Sequence, residues 1–284
     1  MSKLSDKYKI HFGMPTLIEI NTIRENAKLC SDLGLDFLEL NMNLPICTIL
    51  GFENSQNDVK LFLEDLKNLK NEFGIYFTIH LDENFTFADF NPLISHAYLQ
   101  TLKNLIENAK EIDCPIINLH MTSGVYFTLP DKKVFLFEKY ADFYQEKVAT
   151  FIENAKSWTQ SSSVKLSIEN TDGWKDFEKF AISKMLSKDF FGLTFDIGHS
   201  EAIGNLDESF ILENKEKLIH FHIHDGTLPD SETQKYGKNH LELGTGNIDL
   251  GSRLKLAREN SCRCVIETKT VDSLKKSVHW LKEN

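Results

Sequence analysis

The sequence predicts an α/β protein in which eight βα units close into one barrel, and three observations support this prediction. The length of 284 residues is one at which a single barrel of this kind closes and buries a large core. Short β-type runs alternate with longer amphipathic helical runs, which is typical of a parallel sheet, and the alternation repeats eight times. We find no Pro-rich linker, charge block or tandem repeat in the sequence that divides it. The fold class is therefore predicted to be a single (β/α)8 TIM barrel spanning residues 1–284.

The predicted elements follow one another in a regular order. The strands cover residues 9–13, 36–41, 74–80, 115–120, 164–169, 191–196, 218–224 and 263–268. The helices cover residues 21–33, 57–72, 95–111, 133–159, 174–187, 206–216, 247–260 and 271–282. Gly34 lies where a glycine ends a helix, and Pro115 opens the fourth strand, where its missing N–H is not needed. The segment 225–246 is too long for a routine connection, so we expect a functional loop there.

Polar and apolar residues alternate along several predicted strands. Ser167 and Glu169 share one face of the fifth strand, and Thr194 and Asp196 share one face of the sixth. The same alternation puts three residues of the seventh strand on one face: His220, His222 and His224. Because strand side chains alternate with a period of two, the polar set is expected to face the barrel axis and the apolar set to pack under the helices.

The composition restricts the functional classes. A net charge of −10 with four arginines argues against a broad nucleic-acid surface, since affinity there comes chiefly from Lys and Arg. The apolar fraction of 41% is ordinary for a globular protein, and no apolar run approaches the length that spans a bilayer. The first residues lack a signal-peptide pattern, and the five scattered cysteines fit reduced thiols better than a disulfide framework. We therefore expect a cytoplasmic protein with no membrane or nucleic-acid partner, and the sequence leaves its oligomeric state open.

Six residues of metal-ligand type close six different predicted strands. They are His80, His120, Glu169, Asp196, His222 and Glu267. Barrel closure brings the carboxyl ends of the strands to one rim, which is the working face of this fold. A mixture of imidazole and carboxylate suits Zn²⁺ or Mn²⁺, or alternatively Fe²⁺ or Co²⁺, better than Mg²⁺ or Ca²⁺. Two further candidate ligands are His199, three residues after Asp196, and His240 in the long loop.

Five motifs carry most of these residues. They are IENT at 168–171, FDIGH at 195–199, HIHD at 222–225, HLELGTGNID at 240–249 and VIET at 265–268. In order and strand placement they resemble the motifs of the xylose-isomerase-like TIM-barrel superfamily, and the similarity spans essentially the whole chain. That superfamily includes sugar isomerases and epimerases, inosose dehydratase and endonuclease IV. The resemblance is specific for the superfamily and leaves the activity of the individual member open.

The sugar epimerase branch of this resemblance implies one divalent ion. Its ligands would be Glu169, Asp196, His222 and Glu267, with Glu169 and Glu267 also serving as the acid and base. His199 would add a catalytic contact to substrate oxygens, and the ion would stabilise the enediolate formed by proton transfer. The expected protein is a Zn²⁺- or Mn²⁺-dependent isomerase or epimerase of a small sugar or sugar phosphate. One ion is expected, with two or three as alternatives.

The endonuclease IV branch implies three zinc ions and hydrolysis of abasic DNA. Beside the ion of the epimerase branch, another would bind His80, His120 and Glu169. The third would bind His199, His240 and an aspartate that precedes this histidine by two positions. This chain has Lys238 there, and a charged ammonium cannot ligate zinc. A further alternative is a barrel that binds a sugar without catalysis, although the strand-end placement favours an enzyme.

Overall fold

A closed parallel barrel forms the centre of the structure, a computed structural model that describes residues 3–230, 232 and 236–284. The strands are β1 (His11–Pro15), β2 (Phe37–Asn41), β3 (Tyr76–His80), β4 (Ile116–His120), β5 (Tyr126–Thr128), β6 (Lys133–Phe135), β7 (Lys165–Glu169), β8 (Phe191–Asp196), β9 (Leu218–Ile223) and β10 (Arg263–Ile266). The barrel has the spatial order β1-β10-β9-β8-β7-β4-β3-β2. The predicted (β/α)8 TIM barrel is confirmed.

The first helix precedes β1, and the other helices lie between or after the strands. They are α1 (Leu4–Tyr8), α2 (Ile23–Asp32), α3 (Asn57–Phe73), α4 (Pro92–Glu111), α5 (Leu136–Lys139), α6 (Ala141–Thr159), α7 (Asp176–Leu186), α8 (Ile197–Ala202), α9 (Glu208–Glu213), α10 (Leu250–Glu259) and α11 (Val271–Glu283). The side chain of Thr22 caps α2, and Gly74 ends α3 in the left-handed conformation that favours glycine. Among the described residues, no helix combines the length and apolar character that a bilayer span needs.

The region between β4 and α6 differs from the sequence prediction. We predicted one helix over 133–159, but Tyr126–Thr128 and Lys133–Phe135 form an antiparallel hairpin outside the barrel. The helical part begins only at Leu136 and is interrupted at Tyr140, which separates α5 from α6. The N–H of Leu129 bonds the carbonyl of Lys132 and closes the hairpin turn, so local β pairing overrides the helical pattern here.

The barrel interior beneath the strand ends is polar. Six side chains form what we call the lower polar layer: Glu39, Thr78, Asn118, Ser167, Thr194 and His220. Each is at most 1% exposed, and each precedes by two positions the residue that ends or nearly ends its strand. Branched apolar residues usually fill such layers. Here the expected polar faces of the strands meet inside the barrel, where the hydroxyl of Thr194 bonds both Asn118 and Ser167.

Candidate metal centre

The strand ends bring together most of the residues that the sequence singled out. His80, His120, Glu169 and Asp196 are the last residues of β3, β4, β7 and β8. His222 is the penultimate residue of β9, and Glu267 directly follows β10. Since all these strands are parallel and adjacent in the closed barrel, their side chains lie on one rim.

The central group consists of Glu169, Asp196, His222 and Glu267. Their potential ligand atoms all lie within 4.8 Å of one another. Nδ1 of His222 is 3.1 Å from Oε1 of Glu169, 3.0 Å from Oε2 of Glu267 and 3.8 Å from Oδ2 of Asp196. The exposed fractions range from 0% for Asp196 and His222 to 8% for Glu267. One imidazole nitrogen therefore faces three buried carboxylates.

The electrostatics of the central group favour a cation. Burial would raise the pKa of Glu169, but the charges of His222 and His120 hold it well below its usual value. Burial would likewise raise the pKa of Glu267, yet His222 and Lys269 keep it well below its usual value. Burial would lower the pKa of His222, whereas the surrounding carboxylates raise it well above its usual value. Three anions around one imidazole would be balanced more completely by a divalent ion than by a single proton.

One buried oxygen supports the fit of a metal ion to these residues. Oε2 of Glu267 has no hydrogen-bond donor among the described residues, and it points at His222 Nδ1, an atom that can serve as a ligand. A donor set of three carboxylates and one imidazole is suited to Zn²⁺, Mn²⁺ or Co²⁺. The residues present therefore fit a single divalent ion.

A second group shares Glu169. Nε2 of His80 and Nε2 of His120 lie 3.3 and 3.2 Å from Oε2 of that carboxylate. Nδ1–H of His80 donates to the carbonyl of Leu81, which directs Nε2 toward the site. Asn118 donates to the same Oε2 from the lower polar layer. This group could hold a second ion that shares Glu169 with the first.

Another group contains His199 and His240, and a histidine takes the place of the aspartate that the endonuclease IV pattern has. The two Nε2 atoms are 3.3 Å apart, and His224 completes a group of three imidazoles. Nδ1–H of His240 donates to the carbonyl of Glu267, and burial lowers the pKa of His240 to about 4, so this ring is neutral. Lys238 is exposed and lies outside this group.

His224 is bonded on both sides. Its Nδ1 accepts the backbone N–H of His240 at 2.7 Å, so its proton is on Nε2, which lies 3.0 Å from Oδ1 of Asp196. The side chain therefore links the long loop to the central group. Gly198 permits this approach, since a Cβ there would lie 2.0 Å from the ring of His224.

Three contributors to the site were given no role by the sequence analysis. His224 was recognised only by its strand face, although its alternation with His222 was a signal. Asn118 lies two positions before His120, and the same period of two could have found it. Lys269 bonds Oε1 of Glu267 at 2.9 Å, and its position after the strand carried no signal.

The long loop is held in place by one buried side chain. Asp225 is 1% exposed, and its Oδ1 accepts the N–H groups of Gly226 and Ile248. Its Oδ2 accepts the N–H of Gly244, and its backbone pairs with Leu241 in both directions. These bonds fix the chain on both sides of His240 and so set the position of this imidazole.

The strand ends open into a cleft of about 960 Å³. Its floor contains His80, His120, Glu169, His199, His240 and Glu267. The hairpin of β5 and β6 contributes Tyr126, Lys133 and Phe135 to one wall, and Trp174 and Lys175 follow from the segment after β7. Such a mixed wall of aromatic, hydroxyl and ammonium groups is suited to a small polar ligand.

Comparisons with known proteins agree with this architecture. A family model described as xylose isomerase-like TIM barrel matches residues 27–284. An uncharacterised protein of Methanocaldococcus jannaschii is 24% identical over 304 residues, which cover 99% of this chain and 93% of that protein.

Solved structures share the fold at low sequence identity. A D-tagatose 3-epimerase-like protein has a TM-score of 0.70 and 21% identity, with 96% of both chains covered. A 3-keto-D-glucoside 4-epimerase from E. coli has a TM-score of 0.69 and 14% identity, with 97% of this chain and 100% of that chain covered. The IOLI protein with a binding zinc atom has a TM-score of 0.64 and 16% identity, with 96% of this chain and 94% of that chain covered.

Proposed function

Because this chain belongs to the xylose isomerase-like TIM-barrel family, we propose that it is a divalent-metal-dependent isomerase or epimerase of a small sugar or sugar phosphate. The observation that carries this proposal is the central group, in which four ligand atoms from four strand ends lie within 4.8 Å of one another. Glu169, Asp196, His222 and Glu267 would hold a Zn²⁺ or Mn²⁺ ion. The sugar epimerases among the similar folds support the reaction class.

The bound ion would supply Lewis-acid polarisation of a hydroxyl and carbonyl pair on the sugar. Glu169 ends β7 and Glu267 follows β10, two strands on opposite sides of the β8 and β9 pair, and the two carboxylates would remove and return the carbon-bound proton from two sides. A well-placed group of this kind contributes about 10²- to 10⁴-fold to the rate. The neutral His240 would accept a hydrogen bond from a substrate hydroxyl at Nε2, and His199 would hold a neighbouring oxygen.

The cleft favours a sugar-sized substrate over a polymer. Its aromatic residues Trp174 and Phe135 could stack on an apolar sugar face, and Lys175 and Lys269 could bind an attached phosphate or carboxylate. The net charge of −10 opposes a nucleic-acid backbone. A small polyhydroxylated molecule could therefore contact both the residues that line the cleft and the residues of the metal centre.

Solvent deuterium exchange tests the proposed reaction. Protein loaded with Zn²⁺, Mn²⁺ or Co²⁺ is incubated in D₂O with a panel of ketoses, aldoses and their phosphates, and mass spectrometry measures deuterium at carbon. We expect one or more members to exchange and to yield an epimer or isomer. Loaded protein that exchanges no member of the panel contradicts the proposal. If the protein also binds no metal and melts unchanged after chelation, a non-catalytic sugar-binding barrel is the better description.

A zinc phosphodiesterase of the endonuclease IV type is a second candidate. The group of His80, His120 and Glu169 favours it, since two ions sharing one carboxylate suit hydrolysis of a phosphodiester. The test is incision of a duplex with one abasic site by the zinc-loaded protein. Incision that the Glu169→Gln variant abolishes would put this candidate first, and the absence of incision beside sugar exchange would exclude it.

A further inference from the structure

A buried carboxylate lies directly beneath the central group. Glu39 belongs to β2 and to the lower polar layer, and it is 1% exposed. Between β2 and β9 the barrel order places β1 and β10, so the side chain of Glu39 reaches His220 and His222 across the barrel interior. A branched apolar residue usually occupies such an inward position, and a buried carboxylate there costs desolvation energy.

The contacts of Glu39 are shared among three side chains. Its Oε2 accepts the hydroxyl of Thr78 at 3.0 Å and lies 3.0 Å from Nε2 of His220. Its Oε1 lies 3.1 Å from Nε2 of His222. Among the described residues, Nε2 of His222 forms no hydrogen bond of standard geometry, and its contact with Glu39 is an ion pair. Thr78 and His220 therefore hold one oxygen of Glu39, while the other oxygen faces His222.

This arrangement determines which nitrogen of His222 is free to bind a metal ion. A neutral imidazole carries one N–H, and an ionised carboxylate can only accept it. Nδ1 of His222 bonds Oε1 of Glu169 at 3.1 Å and Nε2 faces Glu39, so both nitrogens of the protonated ring have a carboxylate partner. When a metal ion replaces the Nδ1 proton, the remaining proton on Nε2 would stay beside Glu39, and the lone pair on Nδ1 would be free for the ion. The pairing of a carboxylate, a histidine and a metal ion is a recurrent way to fix the tautomer of a ligand and to raise its basicity.

We propose that Glu39 is a positioning residue, which orients His222 and fixes its tautomer so that Nδ1 can bind the metal ion. The proposal rests on the metal centre of the proposed function. It extends the functional site to β2, a strand that contributes no ligand to the central group.

Metal affinity of the Glu39→Gln variant tests this role. The amide keeps the size of the side chain but removes the charge. We expect the dissociation constant for Zn²⁺, measured by competition with a chromophoric chelator, to rise about 10- to 100-fold. The matched control is Asp36→Asn, because Asp36 is a buried carboxylate that immediately precedes the same strand and bonds Ser5 and the backbone of Phe12. Its zinc affinity should remain within about twofold of wild type, even if its folding stability falls.

Nuclear magnetic resonance of the zinc-loaded protein separates positioning from general destabilisation. A long-range ¹H–¹⁵N spectrum should show His222 with a proton on Nε2 and an Nδ1 shift typical of metal binding. In Glu39→Gln the Nε2–H resonance should move or disappear by exchange, whereas in Asp36→Asn it should be unchanged. A purely structural role for Glu39 would not alter this signal selectively.

A milder variant keeps the test decisive if Glu39→Gln does not fold. Thr78→Val removes one donor to Glu39 and should weaken zinc binding about two- to fivefold. If Glu39→Gln folds and binds zinc as tightly as wild type, the positioning role is overturned and the proposed function stays intact. If only Thr78→Val folds, wild-type zinc affinity in that variant has the same meaning. Wild-type protein that binds no Zn²⁺, Mn²⁺ or Co²⁺ overturns the proposed function itself and this inference with it.

Discussion

At the scale of single residues, Glu169 has the largest number of roles. Its Oε1 faces His222 of the central group, and its Oε2 faces His80 and His120 of the second group. The carboxylate is 2% exposed, so it needs a positive partner on both sides. We therefore infer that the number of ions in the protein depends on this residue more than on any single histidine.

Replacement of Glu169 should remove every ion of the two groups. In Glu169→Gln we expect the metal content to fall to background and sugar exchange to fall about 10²- to 10⁴-fold. In His120→Ala only the second group loses a ligand, so at least one ion per chain should remain. Inductively coupled plasma mass spectrometry on dialysed protein measures these contents.

The exposed His279 provides the control for this comparison, because it pairs with Glu283 at the surface and lies outside both groups. His279→Ala should have the wild-type metal content. If His120→Ala loses all bound metal while Glu169→Gln retains it, our assignment of the shared ligand is wrong.

The residue scale also shows what the sequence could not predict. The period of two within β7, β8 and β9 indicated inward polar side chains, and the structure places Ser167, Thr194 and His220 in the lower polar layer. The pairing of Glu39 with His220 joins residues 181 positions apart. Such a contact depends on how the barrel closes, and no local pattern encodes it. The sequence showed that Lys238 replaces the aspartate of the endonuclease IV pattern. It could not show that His224 approaches His199 and His240 instead, because that contact depends on the geometry of the loop.

At the scale of elements, the strands were predicted more accurately than the connections. Each barrel strand lies within about two residues of its predicted position, because short apolar runs with alternating polar residues are a strong local signal. The hairpin was missed because β6 falls inside the helix predicted over 133–159, while β5 lies in a stretch to which no element was assigned. These connecting elements line the cleft, so the sequence predicted the metal ligands better than it predicted the walls that contact the substrate.

The long loop provides a prediction at the element scale. In Asp225→Asn an NH2 group replaces one carboxylate oxygen, and this group cannot accept a hydrogen bond from the backbone N–H groups that Asp225 now binds. We expect a loss of about 1–3 kcal/mol in the free energy of unfolding, because a buried N–H group loses its acceptor. Urea denaturation measures this change. Trypsin should also cleave after the exposed Lys238 faster than in wild type, since the loop is then less firmly anchored.

Asp249→Asn is the matched control for that experiment. Asp249 caps α10 through the N–H of Ser252, and asparagine caps a helix about as well as aspartate. We expect its unfolding free energy to stay within about 0.5 kcal/mol of wild type and its cleavage rate to be unchanged. Equal behaviour of the two variants would mean that the bonds of Asp225 do not hold the loop.

At the scale of the whole molecule, the closed barrel joins the chemistry of distant segments to the stability of the fold. The carboxylates and imidazoles of the rim come from most of the barrel strands, and the lower polar layer connects them through hydrogen bonds. A metal ion that binds only the folded chain therefore stabilises the whole barrel by mass action. In the metal-free protein we expect the protonation of the buried histidines to govern how the stability changes with pH above 6.5.

The last prediction concerns the stability of the metal-free protein as a function of pH. Burial would lower the pKa of His80, but Glu169 raises it to about 9, and carboxylates also hold the pKa of His222 well above the ordinary 6.5. The stability from His80 is complete below pH 6.5 and is lost as the pH rises through about 9, and the stability from His222 is lost in the same direction. Burial lowers the pKa of His240 to about 4, so its contribution is lost as the pH falls from 6.5 toward 4.

We expect the unfolding free energy of chelated protein to be greatest near pH 6.5 and to fall by on the order of 3 kcal/mol by pH 9. Zinc-loaded protein should not show the decline above pH 6.5, because zinc replaces the protons. Urea denaturation across this range measures both curves, with His279→Ala as the control. A chelated protein whose stability is flat or rises from pH 6.5 to 9 would contradict the charge balance that we assign to the metal centre.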